Sequence, residues 1–267
     1  MSELQYENLI TGKPHVSFSE VKEWSECSWR HKLHHIEKID NQKPSEILDF
    51  GTSAHAGCEN FLNSGTMDVT VAQNMLKQLW LEHAHPHETL TSALENIEAI
   101  LLELPQYLNE TFPDWQPVDA EHQLYEQLEK FPQHAFKGFI DCIIKVPTKS
   151  GKKWKYWIID FKTTNWGWNA EKRSDKMIQS QLVLYKNFYS KKLNIDPKDI
   201  QCGFLLLKKV AKQGKRCEFI KVSVGDLTTE RSIKVVNNMI SAVKKGIALK
   251  NRNACKWCEF KNTEWCK

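Results

Sequence analysis

Two apolar segments on either side of one turn place the strongest constraint on the fold of this sequence. Residues 136–146 (FKGFIDCIIKV) and 154–161 (WKYWIIDF) are rich in the β-branched and aromatic side chains that favour strands. Residues 147–151 (PTKSG) combine proline, serine and glycine, as turns commonly do. The pattern therefore predicts a buried β-hairpin that closes about residues 150 and 151.

The predicted hairpin brings three ionisable side chains together. Symmetric closure puts Asp141 directly opposite Asp160, where cross-strand Cβ atoms are about 4.5–5.5 Å apart and like charges repel. Side chains alternate between the two faces of a strand, so Lys162 shares a face with Asp160. Two carboxylates and an amine within apolar strands predict a site for Mg²⁺ or Mn²⁺, since hard oxygen ligands suit both ions. The alternative, a solvent-facing strand with ordinary surface ions, is disfavoured by the apolar neighbours.

The remaining periodicity predicts an α/β fold in which helices flank a central sheet. Helices are predicted over residues 17–36, 50–63, 174–192 and 227–249, and further strands over residues 120–128, 202–208 and 217–224. Residues 69–112 have helical periodicity in two parts, interrupted near His85, Pro86 and His87, which predicts a helical insertion over about residues 65–115. We expect the whole chain, residues 1–267, to form one domain.

The charge balance permits a polyanionic partner without requiring one. The chain has 37 lysine and arginine residues against 33 aspartate and glutamate residues, a formal net charge of +4. No apolar run reaches the roughly 18 residues that a membrane helix needs, and the polar N-terminal segment does not resemble a signal peptide. We therefore expect an intracellular, cytoplasmic protein with no membrane partner.

Four short motifs resemble, in order and approximate spacing, those of the PD-(D/E)xK nuclease superfamily, and most closely its RecB-like branch. The first motif matches residues 51–55 (GTSAH) with Glu59 one turn later, and the second matches residues 138–141 (GFID). The third matches residues 160–162 (DFK), where many relatives have glutamate in place of the aspartate. The fourth matches residues 181–185 (QLVLY), whose glutamine and tyrosine share one helix face.

The resemblance implies a restriction-endonuclease-like fold with a mixed central sheet and a metal-dependent nuclease activity. The metal ligands that it implies are His55, Asp141 and Asp160. The catalytic residues that it implies are Asp141, Asp160, Lys162, Gln181 and Tyr185. Glu59 and Glu121 are further acidic candidates. In such a site the metal polarises the scissile phosphate, and the lysine orients or activates the water, or neutralises charge developing on the phosphate.

Three of the cysteines crowd the C-terminal segment, residues 250–267. Cys255, Cys258 and Cys266 supply three closely spaced thiols, and Cys27 lies where the iron–sulfur subgroup of RecB-like nucleases has its fourth ligand. That subgroup includes AddB and the fourth Cas protein of CRISPR adaptation. The resemblance implies a [4Fe–4S] cluster that joins the N- and C-terminal segments, whereas four thiolates also suit tetrahedral zinc. A tail of unliganded thiols is the remaining alternative.

The loop after the third motif combines aromatic and basic side chains. It contains Trp166 and Trp168, followed by Lys172 and Arg173. Tryptophan faces stack on unpaired bases and cations bind phosphates, so the loop is a candidate DNA contact. Simple packing of the tryptophans explains the same pattern equally well.

The leading functional hypothesis is a DNA exonuclease that prefers single strands or free ends. It would act in recombination, repair or DNA processing, together with partner proteins of those pathways. One alternative places the same chemistry in a structure-specific or CRISPR-adaptation endonuclease. Another is a catalytically inactive subunit that only binds DNA within a larger complex, and a third is a zinc-stabilised binding module without a nuclease core.

Overall fold

Two compact units make up the computed structural model, which describes residues 9–267. The terminal unit combines the described part of Met1–Lys43 with Gln123–Gly138 and Gly225–Lys267. The central unit comprises Pro44–His122 and Phe139–Val224. Each unit is therefore built from segments that are distant in sequence. Among the described residues, no helix is both long enough and apolar enough to cross a membrane.

The described residues form strands, α-helices and short helical turns. The strands are β1 (His15–Ser17), β2 (Gln116–Gln127), β3 (Ala135–Pro147), β4 (Trp154–Thr164), β5 (Ile200–Lys208) and β6 (Cys217–Val222). The α-helices are α1 (Phe18–Glu26), α2 (Ser28–His31), α3 (Glu46–Ser64), α4 (Val69–Glu82), α5 (His87–Thr111), α6 (Ala170–Ser174), α7 (Lys176–Leu193) and α8 (Asp226–Lys244). Short π- or 3₁₀-helical turns cover Lys32–Ile36, Pro197–Asp199 and Arg252–Trp257.

The central unit contains a mixed sheet, which confirms the predicted fold class. β3 and β4 are antiparallel, β4 and β5 are parallel, and β5 and β6 are antiparallel. The parallel step is a β-α-β crossover in which α7 packs against both β4 and β5. The helices predicted for residues 69–112 are present as α4 and α5.

The core of the central unit lies between one face of this sheet and helices α3, α4 and α5. Helix α3 contributes Ala54, Cys58 and Phe61 at the spacing of one helix face. Strand β3 contributes Cys142 and Ile144, two residues apart, because alternate side chains point to the same face of a strand. On β3, the side chain between these two positions points away from this core.

The terminal unit begins with a short strand and a capped helix. β1 pairs in parallel with the first residues of β3, so that His15 lies opposite Ala135. Ser17 caps α1 by accepting a hydrogen bond from the N–H of Glu20 over 3.2 Å, as the sequence pattern predicts. Helix α8 packs against α1.

The prediction of one continuous helix over residues 17–36 is wrong. Cys27 has an extended backbone, with φ −158° and ψ 105°, and it separates α1 from α2. Its sulfur lies 3.8 Å from the carbonyl oxygen of Leu249 and accepts a hydrogen bond from the N–H of Asn251 over 3.4 Å. The interruption turns the thiol toward the C-terminal segment, a contact that local periodicity does not reveal.

The helix predicted over residues 227–249 is too long. Helix α8 ends at Lys244, because Gly246 has a φ of +68°, a conformation that glycine adopts without steric cost. The N–H of Ile247 then donates to the carbonyl oxygen of Ala242 over 2.9 Å, as in a Schellman C-cap. The residues after this cap are therefore free to leave the helix axis.

Gly57 allows α3 to approach α4 and α5 closely. A Cβ atom at this position would lie 2.6 Å from Cδ1 of Leu101 and 3.0 Å from Cβ of Ala72. We expect Gly57→Ala to lower the free energy of unfolding by about 1–3 kcal/mol, although alanine is the better helix former. Asn63→Ala, at an exposed position of the same helix, is the control and should leave stability unchanged or slightly increased. Urea denaturation measures both, and wild-type stability in Gly57→Ala would contradict the close packing.

Candidate metal centre

The hairpin of β3 and β4 forms in the predicted register. Cys142 lies opposite Ile159, so the next positions along the two strands are those of Asp141 and Asp160. The N–H of Phe161 donates a hydrogen bond to Oδ2 of Asp141 over 2.8 Å. Asp160 is only 1% exposed. Two acidic side chains therefore lie next to each other in a largely buried place.

Asp141 belongs to a group of three side chains that could hold a metal ion. One ligand atom each of His55, Glu121 and Asp141 lies within 4.8 Å of the other two. Nδ1 of His55 is 3.5 Å from Oδ2 of Asp141. Helix α3 supplies the imidazole, and strands β2 and β3 supply the carboxylates. Carboxylate oxygens suit Mg²⁺ and Mn²⁺, and an imidazole nitrogen shifts the preference toward Mn²⁺.

Glu121 reaches this group because strand β2 is distorted at that residue. Its φ is +50°, which is uncommon for a residue other than glycine. Such a residue interrupts the regular alternation of a strand and re-aims its own side chain. The sequence marked Glu121 only as a further acidic candidate, since composition and spacing give no signal for the distortion.

Asp160 is oriented toward Lys162. Nζ of Lys162 lies 2.7 Å from Oδ2 of Asp160, and both residues are on β4, on one face as the alternation predicts. The structure thus brings His55, Glu121 and Asp141 within the distance of shared ligands. It places Asp160 beside them as the partner of an amine.

Burial of several acids in one place raises their proton affinities. Burial, followed by the charge of Asp160, raises the pKa of Asp141 well above its ordinary value. Burial, followed by the charges of Glu59 and Asp160, also raises the pKa of Glu121. Negative charge is therefore in excess at the site, and a divalent cation would relieve it.

The pKa values of the two basic side chains, His55 and Lys162, are shifted in opposite directions. Burial lowers the pKa of His55 more than the charge of Asp160 raises it, so the imidazole is neutral and able to bind a metal. Burial also acts against the ammonium of Lys162, but the charge and hydrogen bond of Asp160 outweigh it and raise the pKa of Lys162. Lys162 therefore stays protonated at neutral pH.

Gln181 and Tyr185 contact each other on α7. Nε2 of Gln181 donates a hydrogen bond to the hydroxyl of Tyr185 over 3.2 Å, as their spacing of four residues allows. Burial, followed by the charge of Asp160, raises the pKa of Tyr185 above its ordinary value. The phenol therefore stays protonated and keeps its capacity to donate a hydrogen bond.

A cavity of about 640 Å³ lies over the metal-binding group. Its polar wall includes His55, Glu59 and Glu121. Glu59 thus lies beside the group, as its place in the first motif implies. The apolar part of the wall includes the exposed side chains of Ile47 and Leu48, which the sequence analysis did not single out because isolated apolar residues near a helix start carry no functional pattern.

The loop after β4 places its two tryptophans in different environments. Trp166 is 66% exposed, whereas Trp168 is 6% exposed and packs against Phe204 with ring centroids 5.0 Å apart. Nζ of Lys172 lies over the ring of Trp168 at 4.9 Å, and Nε of Arg173 donates to the carbonyl oxygen of Trp168 over 2.7 Å. Packing is therefore the alternative that the structure supports for Trp168, and Trp166 keeps an exposed ring.

The four cysteines grouped by the sequence line one cavity of the terminal unit. This cavity has a volume of about 320 Å³, and its walls include Cys27, Cys255, Cys258 and Cys266. All four are free thiols. The remaining cysteines are buried in the central unit: Cys58, Cys142, Cys202 and Cys217. The thiols that the family resemblance implies as ligands therefore lie around one space.

Hydrogen bonds and an ion pair hold the C-terminal segment next to Cys27. The N–H of Trp29 donates to the carbonyl oxygen of Leu249 over 3.1 Å. Arg30 makes two contacts with the carboxylate of Glu259, from Nε and from Nη2, each of 3.1 Å. Bidentate pairs of this kind fix both distance and orientation. These contacts position the two segments, and no sequence motif predicts them.

Comparison with known proteins agrees with this architecture. Residues 15–267 match the family model described as the PD-(D/E)XK nuclease superfamily. No curated protein matches the chain. A crystal structure from Eubacterium rectale, named as a presumed exonuclease, is similar with a TM-score of 0.59 at 12% sequence identity. That match covers 98% of this chain and 94% of the other, and at such an identity it shows the fold alone.

We expect Mn²⁺ to bind more tightly as the pH rises from about 5 to 7, by up to about tenfold per pH unit. The raised pKa of Asp141 means that a proton competes with the metal at pH values where an ordinary aspartate is already ionised. Asp141→Asn should weaken binding and reduce this dependence, and the part that remains is expected from Glu121, whose pKa is also raised. Asp199→Asn, which alters the partner of Lys155, is the control and should behave as wild type. Electron paramagnetic resonance of free Mn²⁺ measures the affinity, and a flat wild-type profile would contradict the assignment.

Proposed function

The chain belongs to the PD-(D/E)XK nuclease superfamily, and on that premise we propose that it is a divalent-metal-dependent deoxyribonuclease of the RecB-like branch. The proposed reaction is hydrolysis of phosphodiester bonds from DNA ends, with a preference for single strands. The observation that carries the proposal is the group of His55, Glu121 and Asp141 beside the pair formed by Asp160 and Lys162.

Mg²⁺ or Mn²⁺ fits this group on chemical grounds. His55 is neutral, and the carboxylates of Glu121 and Asp141 lie where negative charge is in excess. When bound, such a cation polarises a phosphate oxygen and lowers the pKa of a water molecule. The assignment of Asp160 as a further ligand stays a prediction, since its Oδ2 pairs with Lys162.

Lys162 acts in this proposal as a fixed positive charge. Because its pKa is raised, the ammonium stays protonated and neutralises charge that develops on the phosphate, and it does not serve as a general base. Asp160 sets the position of the ammonium through their contact of 2.7 Å. Tyr185 and Gln181 add hydrogen-bond donors from α7 close to Asp160.

Exposed apolar side chains at the cavity wall and in the loop after β4 support a preference for unpaired DNA. Ile47 and Leu48 are exposed at its wall, and Trp166 is exposed in the loop after β4. Stacking of an unpaired base on an aromatic ring contributes about 1–3 kcal/mol, whereas bases in a duplex already stack on each other. Such a surface therefore favours single strands and frayed ends.

We expect Lys162→Ala to reduce DNA hydrolysis by on the order of 10²–10³-fold, because a preorganised charge at the phosphate is lost. The affinity for DNA should fall far less than the rate of hydrolysis, since many contacts contribute to binding. Lys155→Ala removes a lysine from the same strand and is the control, expected to retain activity. A time course on end-labelled DNA in Mn²⁺ measures the rates. Equal rates for wild type and Lys162→Ala would contradict the catalytic assignment.

The same time course on linear and circular single strands separates the alternative functions. An exonuclease degrades the linear form and leaves the circle intact. Cutting of the circle would instead indicate an endonuclease, as in the structure-specific or CRISPR-adaptation alternative. Binding without hydrolysis of either form, by wild type in both metals, would indicate an inactive DNA-binding subunit.

We further propose that the four cysteines hold a [4Fe–4S] cluster, for which thiolates are the usual ligands. In a tetrahedral zinc site with Zn–S bonds of about 2.3 Å, the sulfurs lie about 3.8 Å apart. No three of the cysteine sulfurs, all of which belong to described residues, lie within 4.8 Å of one another. The cavity of about 320 Å³ that all four cysteines line supports a shared bound group at this place.

Anaerobic purification is expected to give a brown protein with about four iron and four sulfide ions per chain. Cys255→Ala should lose iron, and Cys217→Ala, which lies outside the cavity, should retain it. Elemental analysis and visible absorption measure the outcome. Colourless protein with stoichiometric zinc would replace the cluster by zinc at the same four thiols, and a wild type with neither metal would contradict the site.

A further inference from the structure

A second group of metal-binding side chains lies apart from the candidate metal centre. Asp49 is in the first turn of α3, and His83 and His85 lie between α4 and α5. One ligand atom of each lies within 4.8 Å of the other two. His55 follows Asp49 by six residues on α3, which corresponds to about 9 Å along the helix axis. The two groups therefore occupy different places on one helix.

One oxygen of Asp49 faces both imidazoles. Its Oδ2 lies 2.6 Å from Nδ1 of His83 and 2.6 Å from Nε2 of His85. Asp49 is buried, and within the described residues its ion-pair contacts are those with these two histidines. One carboxylate oxygen and two imidazole nitrogens therefore converge on one place, as the ligands of a metal ion do.

The turn between α4 and α5 holds the two imidazoles in place. Ala84 has a φ of +50°, and the N–H of His85 donates to the carbonyl oxygen of Trp80 over 3.0 Å. The rings of His85 and Trp80 meet edge to face, with centroids 4.8 Å apart. These contacts fix His85 against the core, so that little ordering is needed when a ligand binds.

We propose that Asp49, His83 and His85 form a binding site for a divalent transition metal, with Zn²⁺ as the best-suited ion. Two imidazole nitrogens and one carboxylate oxygen are a ligand set that zinc accepts, and water completes the coordination. The nitrogens of His83 and His85 that face Asp49 would bind the ion through their lone pairs, so a proton on either nitrogen is displaced when the metal binds.

An ion at this site joins the first turn of α3 to the turn between α4 and α5. Helix α3 also carries His55 and part of the buried core. A metal that binds only the folded protein stabilises it by mass action. At a Zn²⁺ concentration one hundred times Kd, the Tm should rise by about 5–10 °C. The proposed role is structural and is independent of DNA hydrolysis.

The test compares the zinc content of the full-length protein with that of single variants after equilibrium dialysis against Zn²⁺. Asp49→Asn, His83→Gln and His85→Gln should each bind about one zinc per chain fewer than wild type and lose the rise in Tm. His87→Gln is the matched control, because this histidine opens α5 and lies outside the group. The cysteines and the candidate metal centre are the same in all variants, so any zinc that they bind cancels in the comparison.

His83→Gln decides the test if the other variants do not fold, since the side chain of His83 is the most exposed of the three. Circular dichroism establishes that this variant is folded. Loss of one zinc in folded His83→Gln, with wild-type content in His87→Gln, supports the site. Equal zinc content and equal Tm in wild type and His83→Gln would show that the three residues form only a hydrogen-bonded cluster, and would overturn the proposal.

Discussion

Negative charge buried at the β3–β4 hairpin is the constraint on which the candidate metal centre depends. The register that sets Cys142 opposite Ile159 also fixes the positions of Asp141 and Asp160. Acids in such a place require compensating partners, because water no longer solvates them. Asp160 contacts Lys162 within its own strand, whereas Asp141 accepts a hydrogen bond from a backbone N–H, lies beside His55 and interacts more weakly with the charge of Lys162. Asp141, the acid with the weaker compensation, is the one that shares a candidate metal-binding group with His55 and Glu121.

Helix α3 connects this charge to the hydrophobic core. It directs Ala54 and Cys58 into the core and His55, between them, toward Asp141. Successive residues of a helix differ in direction by about 100°, so the packed neighbours determine where the imidazole points. Gly57 allows the covering helices to approach at the same level. The position of α3 therefore determines both the packing of the core and the direction of the His55 imidazole.

Local patterns predicted the features that local chemistry controls. Turn residues and alternating side chains define the hairpin over residues 136–161, and its register follows from symmetric closure. Helical periodicity that continues past Gly246 led to the longer helix predicted over residues 227–249, although glycine is a common residue at helix C-termini. The extended backbone at Cys27, the positive φ of Glu121 and the burial of Trp168 depend on segments that are distant in sequence. Periodicity contains no information on such partners. For the same reason, the sequence around His85 indicated only an interruption between two helices, and not a group of side chains in contact.

The cysteine cavity of the terminal unit combines residues from both ends of the described chain. Cys27 and Cys266 are separated by 239 positions, from 27 to 266, and a ribosome adds roughly 5–20 residues per second. Cys27 is therefore synthesised on the order of ten to fifty seconds before Cys266. The cysteine cavity therefore forms only after the segment that carries Cys266 has been synthesised.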